Sequence, residues 1–242
     1  MDIKLEPNKF ELESTTVWSF PERGDWATHC GVYRGNWSPY IPRNIILRYS
    51  QPNEWILDQF LGSGTTLVEA KLLDRNAIGV DINEQSILLS NQNLNFQCNT
   101  KTQQIIKKGD ARNLSFITNE SMDLICTHPP YADIINYSQS LDGDLSLLGV
   151  DEFIHQMNNV AREAYRILKK GRVCAVMMGD IRNKGCVVPL GFQVMNCFLN
   201  AKFKTKEIVI KEQHNCKSTK FWKKQHISFL LLAHEYIFIF IK

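Results

Sequence analysis

A glycine-rich turn at residues 62–64 is the first place where residue types and spacing indicate ligand chemistry. The apolar run 55–57 predicts a short buried strand before this turn, and helix-forming residues follow from Leu67. The two glycines allow a sharp turn and a close approach to a ligand, and the next helix offers unpaired N–H groups. Asp81 ends a second apolar strand, 81 − 62 = 19 residues after Gly62. An acid at about this spacing binds ribose hydroxyls, so the sequence predicts a nucleoside-containing ligand.

A tetrapeptide with two prolines, His128-Pro129-Pro130-Tyr131, follows the apolar strand predicted at 123–127. Proline has a fixed φ and no N–H, so the carbonyl oxygens at this point are rigid acceptors. Rigid acceptors suit a substrate amino group that is conjugated and weakly nucleophilic, because accepting its protons moves electron density onto the nitrogen. Tyr131 offers a flat face on which a base can stack. The tetrapeptide therefore predicts chemistry on a planar amino or amide group.

Helical and strand patterns alternate along the chain, which predicts an α/β fold with a mostly parallel sheet and helices on both faces. Strands are predicted at 55–57, 77–81, 104–108, 123–127, 172–178, 206–211, 227–233 and 236–241, and helices at 43–49, 67–72, 84–95, 151–169 and 191–199. We expect Asp151 to cap the longest helix and Gly171 to end it. The last two strands are expected to form an antiparallel hairpin that turns at 234–235.

Ligands of such sheets bind at the carboxyl ends of the strands. The segments 62–66, 109–112 and 128–131, together with Asp81, all follow predicted strands. We therefore expect one cleft to collect them.

The composition is typical of a single globular domain over residues 1–242, with 44% hydrophobic and 22% charged residues. The net charge of +3 does not by itself indicate a nucleic-acid partner. The range from Lys202 to Lys224, however, contains eight lysines and two glutamates, which is a local net charge of +6. Such a range is found both at contacts with polyanions and on ordinary solvated surfaces. Seven cysteines without a Cys-x-x-Cys pair argue against a zinc site and a disulfide framework. No metal is expected, and with no signal peptide or membrane span we predict a cytoplasmic protein.

Together these motifs resemble those of the site-specific DNA amino-methyltransferases that use S-adenosylmethionine as cofactor. The resemblance covers about residues 18–242 and implies a Rossmann-like methyltransferase fold, with the motif order of one of the permuted subclasses. It implies cofactor-binding roles for Trp37, Ser38, Asp58, Phe60, Gly62, Ser63, Gly64, Thr65, Thr66, Asp81, Asp110 and Ala111. It implies catalytic roles for His128, Pro129, Pro130 and Tyr131.

His128 departs from the family pattern, which more often has Asp, Asn or Ser at this position. A neutral imidazole nitrogen can accept a hydrogen bond from an amino group, whereas a protonated one cannot. We therefore expect activity to fall as the pH drops through the pKa of His128. In the family, serine accompanies methylation of cytosine N4, and aspartate or asparagine mostly that of adenine N6. Histidine leaves the base open, and we favour cytosine N4.

Other interpretations stay open at this point. The same Pro-Pro-Tyr logic serves methyltransferases that act on a base in RNA or on a glutamine side chain. A catalytically silent DNA-binding relative is also possible, and would bind the cofactor without transferring a methyl group. A nicotinamide dehydrogenase is disfavoured by the glycine spacing. Methylation of cytosine C5 is disfavoured because no proline is followed by cysteine.

The expected partner is double-stranded DNA, from which the target base must be flipped before it stacks on Tyr131. We expect the N-terminal arm 1–35, its aromatic residues packed on the domain, and the inserts 132–150 and 182–226 to contact DNA. Contacts to the DNA backbone are expected from Lys217, Lys220, Trp222, Lys223 and Lys224. A companion restriction endonuclease is possible, the protein is expected to be a monomer or a homodimer, and no membrane contact is expected.

Overall fold

The computed structural model describes residues 4–132, 138, 140–215 and 228–242. Its strands are β1 (Val17–Trp18), β2 (Trp55–Asp58), β3 (Asn76–Asp81), β4 (Gln104–Lys108), β5 (Met122–Thr127), β6 (Leu168–Met178), β7 (Ile181–Asn183), β8 (Cys186–Val188), β9 (Lys204–Glu212) and β10 (His234–Ile241). Its helices are α1 (Tyr40–Tyr49), α2 (Thr65–Leu72), α3 (Glu84–Leu94), α4 (Val150–Ile167) and α5 (Leu190–Asn200), with a short 3₁₀ turn at Leu145–Leu147.

Eight of these strands form one sheet in the order β1-β9-β10-β6-β5-β2-β3-β4. Strands β2 to β6 run parallel, and β10 is antiparallel to both β6 and β9. This confirms the predicted fold class, a mostly parallel sheet with an antiparallel C-terminal part. The chain leaves β2 towards β3 and β4 on one side, and β5 and β6 lie on the other. The strand order therefore reverses between β2 and β5, where ligands of open α/β sheets bind.

The sheet is covered on both faces, as the apolar runs of its central strands require. All six residues of β5 are buried. One apolar layer joins α1 and α2 to the sheet through Ile41, Ile45, Ile46, Leu67, Ala70, Ile56 and Leu124. The other layer joins α4 and α5 to it through Phe153, Met157, Val160, Val194, Phe198, Leu57, Ile125 and Phe238. The two layers hold the strand ends, and with them the cleft, in fixed positions.

The predicted ends of α4 are wrong at both sides. The residue before the helix is Gly149, which makes no side-chain cap, and Asp151 lies inside the first turn. At this position its negative charge lies close to the positive end of the helix dipole, which stabilises the helix. The helix ends at Ile167 and passes directly into β6, so Gly171 lies within the strand with φ +72°. The N–H of Gly171 donates to the carbonyl of Lys242. Gly171 therefore takes part in strand pairing and does not end the helix.

The predicted closing hairpin is also wrong. Strand β10 is continuous through the expected turn at 234–235, and residues 228–233 form no strand. β10 pairs with β9, with His234 opposite Glu212 and Glu235 opposite Lys211. An apolar run can pair with any strand of matching period, so the sequence pattern alone does not select its neighbour. The pairing with β9 brings Glu235 and Lys211 side by side.

The N-terminal arm packs its aromatic residues on the domain. Val17–Trp18 pairs in parallel with β9, although no strand was expected there. Trp26 is fully buried, and its ring meets that of Tyr40 edge-on at 4.8 Å between centroids. Of the range 182–226, α5 and β9 belong to the main fold, β7 and β8 form a separate hairpin, and residues 216–227 lie outside the described part. Within the described part, every helix is too short or too polar to cross a membrane.

Candidate active site

A cleft lies at the carboxyl ends of β2, β3 and β5, where the strand order reverses. It holds about 810 Å³ of space between atoms, part of it continuous with solvent. Ten of the predicted site residues line it: Trp37, Asp58, Phe60, Gly62, Ser63, Asp81, Asp110, Ala111, His128 and Pro130. Gly109, from the segment 109–112 that was expected at the cleft, also lines it. The remaining lining residues were not assigned to the site from the sequence: Tyr33, Gly35, Asn36, Gln59, Leu61, Ile82, Asn83, Ser86, Gly143, Asp144 and Leu145.

The other predicted site residues stand behind this lining or beside it. Ser38 is buried, and its hydroxyl donates to the carbonyl of Arg23. Thr65, Thr66 and Pro129 are also buried, while Tyr131 lies next to His128. These residues support or flank the cleft and do not form its wall.

The glycine turn is shaped by backbone conformations that favour glycine. Gly62 has φ +53° and Gly64 has φ +83°, both in the left-handed region. A Cβ on Gly62 would lie 3.3 Å from the ring of Tyr33, which crosses the turn. Gly64 immediately precedes α2, so the turn delivers the helix N-terminus to the cleft. Space and partial positive charge are thus provided for an oxygen-rich ligand.

Asp81 is held at the end of β3 by two backbone donors. Its Oδ2 accepts from the N–H of Gly62 and its Oδ1 from the N–H of Asn83, both at 2.9 Å. A carboxylate has about four acceptor sites, so both oxygens retain capacity for ligand hydroxyls. Burial raises the pKa of Asp81, and the nearby carboxylate of Asp144 adds to this shift. The side chain is fixed in place and can bind a diol.

Asp58 lies deeper, at 2% exposure, and forms the junction between β2, α2 and β5. It accepts hydrogen bonds from Thr66 Oγ1, from the N–H of Phe60 at 3.1 Å, and from Thr127 Oγ1 at 2.9 Å. Burial raises the pKa of Asp58 to about 7 in spite of these three donors. Thr66 therefore acts on the cleft only through Asp58.

Asp110 faces the cleft but is already paired. Nε of Arg112 donates to both of its oxygens, at 2.9 and 3.0 Å, and Nη2 donates to Oδ2 at 2.6 Å. The same Nη2 lies 3.4 Å from the carbonyl of Gly143. This pairing orients Asp110 and leaves part of its acceptor capacity for a ligand.

Four side chains form a continuous chain of contacts at the other end of the cleft. Nε2 of His128 lies 3.0 Å from the hydroxyl of Tyr131. That hydroxyl donates to Oε1 of Glu235 at 2.7 Å, and Oε2 of Glu235 accepts from Nζ of Lys211 at 2.8 Å. No donor among the described residues bonds the carbonyl oxygens of His128 and Pro129, which follow the end of β5. These two carbonyls adjoin His128 and Pro130, which line the cleft.

His128 is neutral over a wide pH range. Burial lowers its pKa to about 4, against the opposing effect of Glu235, and the positive charges of Lys211 and Arg23 lower it further. The ring also stacks on the indole of Trp37, with centroids 5.4 Å apart and planes 21° from parallel. The pH at which His128 would lose its acceptor function is therefore more acidic than an unperturbed histidine implies.

Arg23 holds the loop at 36–38 that bridges the two ends of the cleft. Its guanidinium donates to the carbonyl of Asn36 at 2.8 Å and to that of Trp37 at 2.6 Å. Oδ1 of Asn36 in turn accepts from Thr65 Oγ1 at 2.6 Å. No spacing signal in the sequence connects Arg23 to this loop, since the contacts depend on how the arm folds back.

The predicted DNA contacts Lys217, Lys220, Trp222, Lys223 and Lys224 lie outside the described residues and stay predictions. Among the described residues, no group of three or more His, Cys, Asp or Glu side chains is placed to hold a metal ion.

The cleft suits a cofactor that combines a nucleoside with positive charge. Its wall contains four carboxylates, those of Asp58, Asp81, Asp110 and Asp144. Apolar side chains lie among them, including Trp37, Phe60, Leu61, Ile82 and Leu145. Such a wall attracts the positive charges of a sulfonium and an ammonium group. Its fixed acceptors can bind the two hydroxyls of a ribose. The fold and the site together define an S-adenosylmethionine-dependent methyltransferase.

Comparison with known proteins identifies the family. The N6/N4 DNA methylase family, described as DNA methylase, matches residues 2–92 and 122–242. The chain therefore belongs to this family, which is S-adenosylmethionine-dependent.

Individual relatives match shorter segments. The type II methyltransferase M.MjaVI of Methanocaldococcus jannaschii is 31% identical over 107 residues, which cover 44% of this chain and 53% of that protein. The tRNA (guanine(10)-N2)-dimethyltransferase of Methanothermobacter thermautotrophicus is 34% identical over 100 residues, 41% of this chain and 29% of that protein. The chain thus spans about half the length, or less, of these relatives.

A solved S-adenosylmethionine-dependent methyltransferase of Methanosarcina mazei shares the fold, with a TM-score of 0.56 at 15% identity over 82% of this chain and 96% of that one.

Proposed function

We propose that this protein transfers the methyl group of S-adenosylmethionine to the exocyclic amino group of a base in a specific DNA sequence, with cytosine N4 favoured over adenine N6. The observation that carries the proposal is the position of His128. This neutral acceptor lines the same cleft as Asp81 and stacks on Trp37, another residue of the wall. A base placed against His128 would therefore meet a cofactor bound by Asp81.

The cofactor roles follow from the cleft wall. Asp81 would accept from the ribose hydroxyls, and Asp110 with Ala111 would lie at the adenine. Trp37, Ser38 and the loop at 58–66 would enclose the methionine end. When bound, the cofactor supplies an electrophilic methyl group on a sulfonium. Thr65, Thr66 and Ser38 contribute by holding the loops, as their buried hydrogen bonds indicate.

Catalysis would rest on hydrogen bonds that the chain accepts from the amino group. His128 and the carbonyl oxygens next to the prolines accept amino protons, so that electron density moves onto the attacking nitrogen. Pro129 and Pro130 fix these acceptors through their locked φ. Tyr131 flanks the space into which a flipped base would stack. Direct attack by the amino nitrogen would form the nitrogen–carbon bond as the carbon–sulfur bond of the cofactor breaks, and the surplus amino proton would leave to an acceptor or to solvent. No covalent intermediate with the protein would be required.

The preference for cytosine N4 rests on His128. The family uses serine, a neutral acceptor, with cytosine and a carboxylate or an amide mostly with adenine. The low pKa of His128 makes it a neutral acceptor at physiological pH, like serine and unlike aspartate. Asparagine is neutral as well, so the charge of His128 argues against the aspartate type and not against adenine as such. Adenine N6 is the second candidate, because both amino groups are conjugated and of similar size.

Nucleoside mass spectrometry on DNA incubated with protein and S-adenosylmethionine tests the proposal. We expect N4-methylcytosine, absent with His128→Ala and Tyr131→Ala and retained with His155→Ala, a matched control at an exposed histidine of α4. Detection of N6-methyladenine would show that the target base is adenine and would support the proposed type of reaction. Cofactor binding without any methylated base would instead favour a silent DNA-binding relative. Because a relative of similar identity acts on tRNA, the same assay on tRNA decides between the nucleic acids.

We also propose that the protein, which we place in the cytoplasm, binds double-stranded DNA through the arm 1–35 and the segments 132–150 and 182–226. Lys217, Lys220, Lys223 and Lys224 would contact phosphates, with Trp222 beside them. Replacing one of these lysines by alanine should weaken DNA binding evenly across sequences and lower the salt dependence of log K by about one. A companion restriction endonuclease is proposed on the basis of the type II relatives. Size-exclusion chromatography with light scattering distinguishes monomer from homodimer.

A further inference from the structure

The strongest unassigned feature is the chain of contacts that ends at Lys211. It begins at His128, passes through the hydroxyl of Tyr131 to Glu235, and reaches Lys211 with successive distances of 3.0, 2.7 and 2.8 Å. Neither Glu235 nor Lys211 belongs to a sequence motif, and both are brought to the site by the pairing of β9 with β10. All three contacts are within hydrogen-bond distance, so the direction of each proton can be worked out.

The direction at Glu235 is fixed by charge. Glu235 is buried, and ion pairing with Lys211 nevertheless holds its pKa below the ordinary value. An ionised carboxylate only accepts hydrogen bonds, so the single hydroxyl proton of Tyr131 must point at Glu235. Lys211 has donors only, and its contact with Oε2 is consistent with the same assignment.

The direction at His128 follows from that at Tyr131. With its proton directed to Glu235, the hydroxyl of Tyr131 can only accept at its contact with Nε2 of His128. Nε2 must therefore carry the proton of the neutral imidazole, and Nδ1 must carry the lone pair. Nδ1 has no hydrogen-bond partner among the residues that the structure describes. The ring thus offers one free acceptor.

We propose that Glu235 is a positioning residue that acts through Tyr131 to hold His128 in the Nε2–H tautomer, with Nδ1 as the acceptor for the substrate amino group. The inference rests on the proposed function, because it defines which atom of His128 receives the amino proton. The Nδ1–H tautomer would point a donor at the amino group and remove the acceptor. A hydrogen-bonded carboxylate that selects the tautomer of an active histidine through the opposite ring nitrogen has the same physical basis.

Neighbouring residues pack closely around the side chains of His128, Tyr131 and Glu235. A Cβ on Gly179 would lie 2.9 Å from Cε2 of Tyr131 and 3.3 Å from Cγ of Glu235, so a glycine is needed where these side chains meet. Trp37 covers one face of the imidazole and limits its rotation. The groups that act electrostatically on His128 are Glu235, Lys211 and Arg23. Because burial lowers the pKa of His128 to about 4, the ring should stay neutral around neutral pH.

Long-range ¹H–¹⁵N NMR of the protein labelled at histidine nitrogens tests the proposal without any turnover. Protonated and unprotonated ring nitrogens give well-separated ¹⁵N resonances, and loss of one spin system in His128→Asn assigns those of His128. We expect a protonated Nε2 and an unprotonated Nδ1 in the wild-type protein from neutral to mildly acidic pH. A proton on Nδ1 would overturn the proposal, whether or not the protein is active.

Variants then connect the tautomer with the reaction. Glu235→Gln can donate to Tyr131 as well as accept from it, so the two tautomers should mix. Loss of such a supporting contact should lower kcat by about 10- to 100-fold, with the Kd for S-adenosylmethionine unchanged. Tyr131→Phe keeps the ring and removes the hydroxyl, and should produce the same mixing if Glu235→Gln does not fold. The matched control is Glu163→Gln, which removes a carboxylate paired with Arg166 on α4.

Unchanged tautomer and kcat in Glu235→Gln would refute the role of Glu235. Failure of the proposed function has a different signature. If no nucleic acid is methylated by the wild-type protein, the proposed function is wrong, whereas the ¹⁵N resonances still report whether the contacts with Tyr131 and Glu235 select the tautomer.

Discussion

Replacing Asp58 by asparagine should remove a large part of the pH dependence of stability. Asp58 is 2% exposed, and its pKa of about 7 in the folded protein lies above the ordinary value of 3.8. Between these two values the unfolded chain is ionised at this position while the folded protein keeps its proton. The folded state therefore binds more protons, and its stability falls as the pH rises through this interval. Below pH 3.8 and above pH 7 Asp58 contributes no slope.

The size of the effect follows from the interval. Each pH unit between the two pKa values changes the free energy of unfolding by about 1.4 kcal/mol, so the full interval corresponds to about 4 kcal/mol. Asparagine has nearly the same shape and no titration. Its amide oxygen keeps the acceptor that Phe60 and Thr127 share, and its NH₂ group replaces the oxygen that accepts from Thr66. The lost acceptor adds a cost of about 1 kcal/mol that is independent of pH.

Urea unfolding of the cofactor-free protein at several pH values between 4 and 8 measures the difference. We expect the stability of Asp58→Asn relative to the wild type to improve steadily with pH over this range. Asp151→Asn, at an exposed carboxylate in the first turn of α4, controls for the loss of one negative charge. A constant difference between Asp58→Asn and wild type across the range would show that Asp58 titrates normally, and the reasoning would be wrong.

Three further predictions concern the site and the arm. Burial lowers the pKa of His128 to about 4, so protonation of His128 should not affect kcat/KM near neutral pH. Initial rates over a pH series should show kcat/KM falling only as the pH approaches 4. Gly179→Ala should cost about 1–3 kcal/mol in urea unfolding and lower methylation, because its Cβ would meet Tyr131 at 2.9 Å. Glu69→Ala should cost about 3–5 kcal/mol and expose Trp26 to a fluorescence quencher, because it leaves Arg43 buried without this partner.

Each of these predictions has a contradicting result. A fall in kcat/KM centred near the ordinary histidine pKa, and absent in a variant at His128, would mean that the ring is not desolvated. Gly149→Ala, at a glycine with φ −62° whose Cβ would meet nothing within 4 Å, controls for a general effect of an added methyl group. Unchanged stability of Glu69→Ala would show that the contacts of Trp26 and Arg43 do not anchor the arm.

Local patterns predicted the parts of the fold that depend on neighbouring residues. The strands ending at Asp58, Asp81 and Thr127 were predicted because their residues are continuously apolar and are followed by turns. Their common parallel direction then placed the glycine turn, Asp81 and His128 at one cleft, as the structure confirms. Ten of the predicted site residues line that cleft. The DNA contacts at residues 217–224 could not be compared, since they lie outside the described residues.

The errors concern choices between distant partners. The end of α4 was placed too late, because the sequence did not show that Gly171 pairs with the carbonyl of Lys242 at the end of the chain. The apolar runs at 227–233 and 236–241 were predicted to pair with each other. A local hairpin and a long-range strand pair require the same alternation of apolar and polar residues, so the pattern does not distinguish them. β10 instead lies between β6 and β9, where it gains two neighbours and buries both faces.

The sequence by itself thus determined the kind of fold and which motifs meet at the cleft, His128 among them, since each depends on a contiguous motif and on the rule that ligands bind at strand ends. Only the tertiary structure decided how His128 is tuned. Its low pKa results from burial, and its proton is placed by Tyr131 and Glu235, 104 residues apart in the chain. Desolvation and hydrogen-bond direction are properties of the whole packed environment, and no local spacing encodes them.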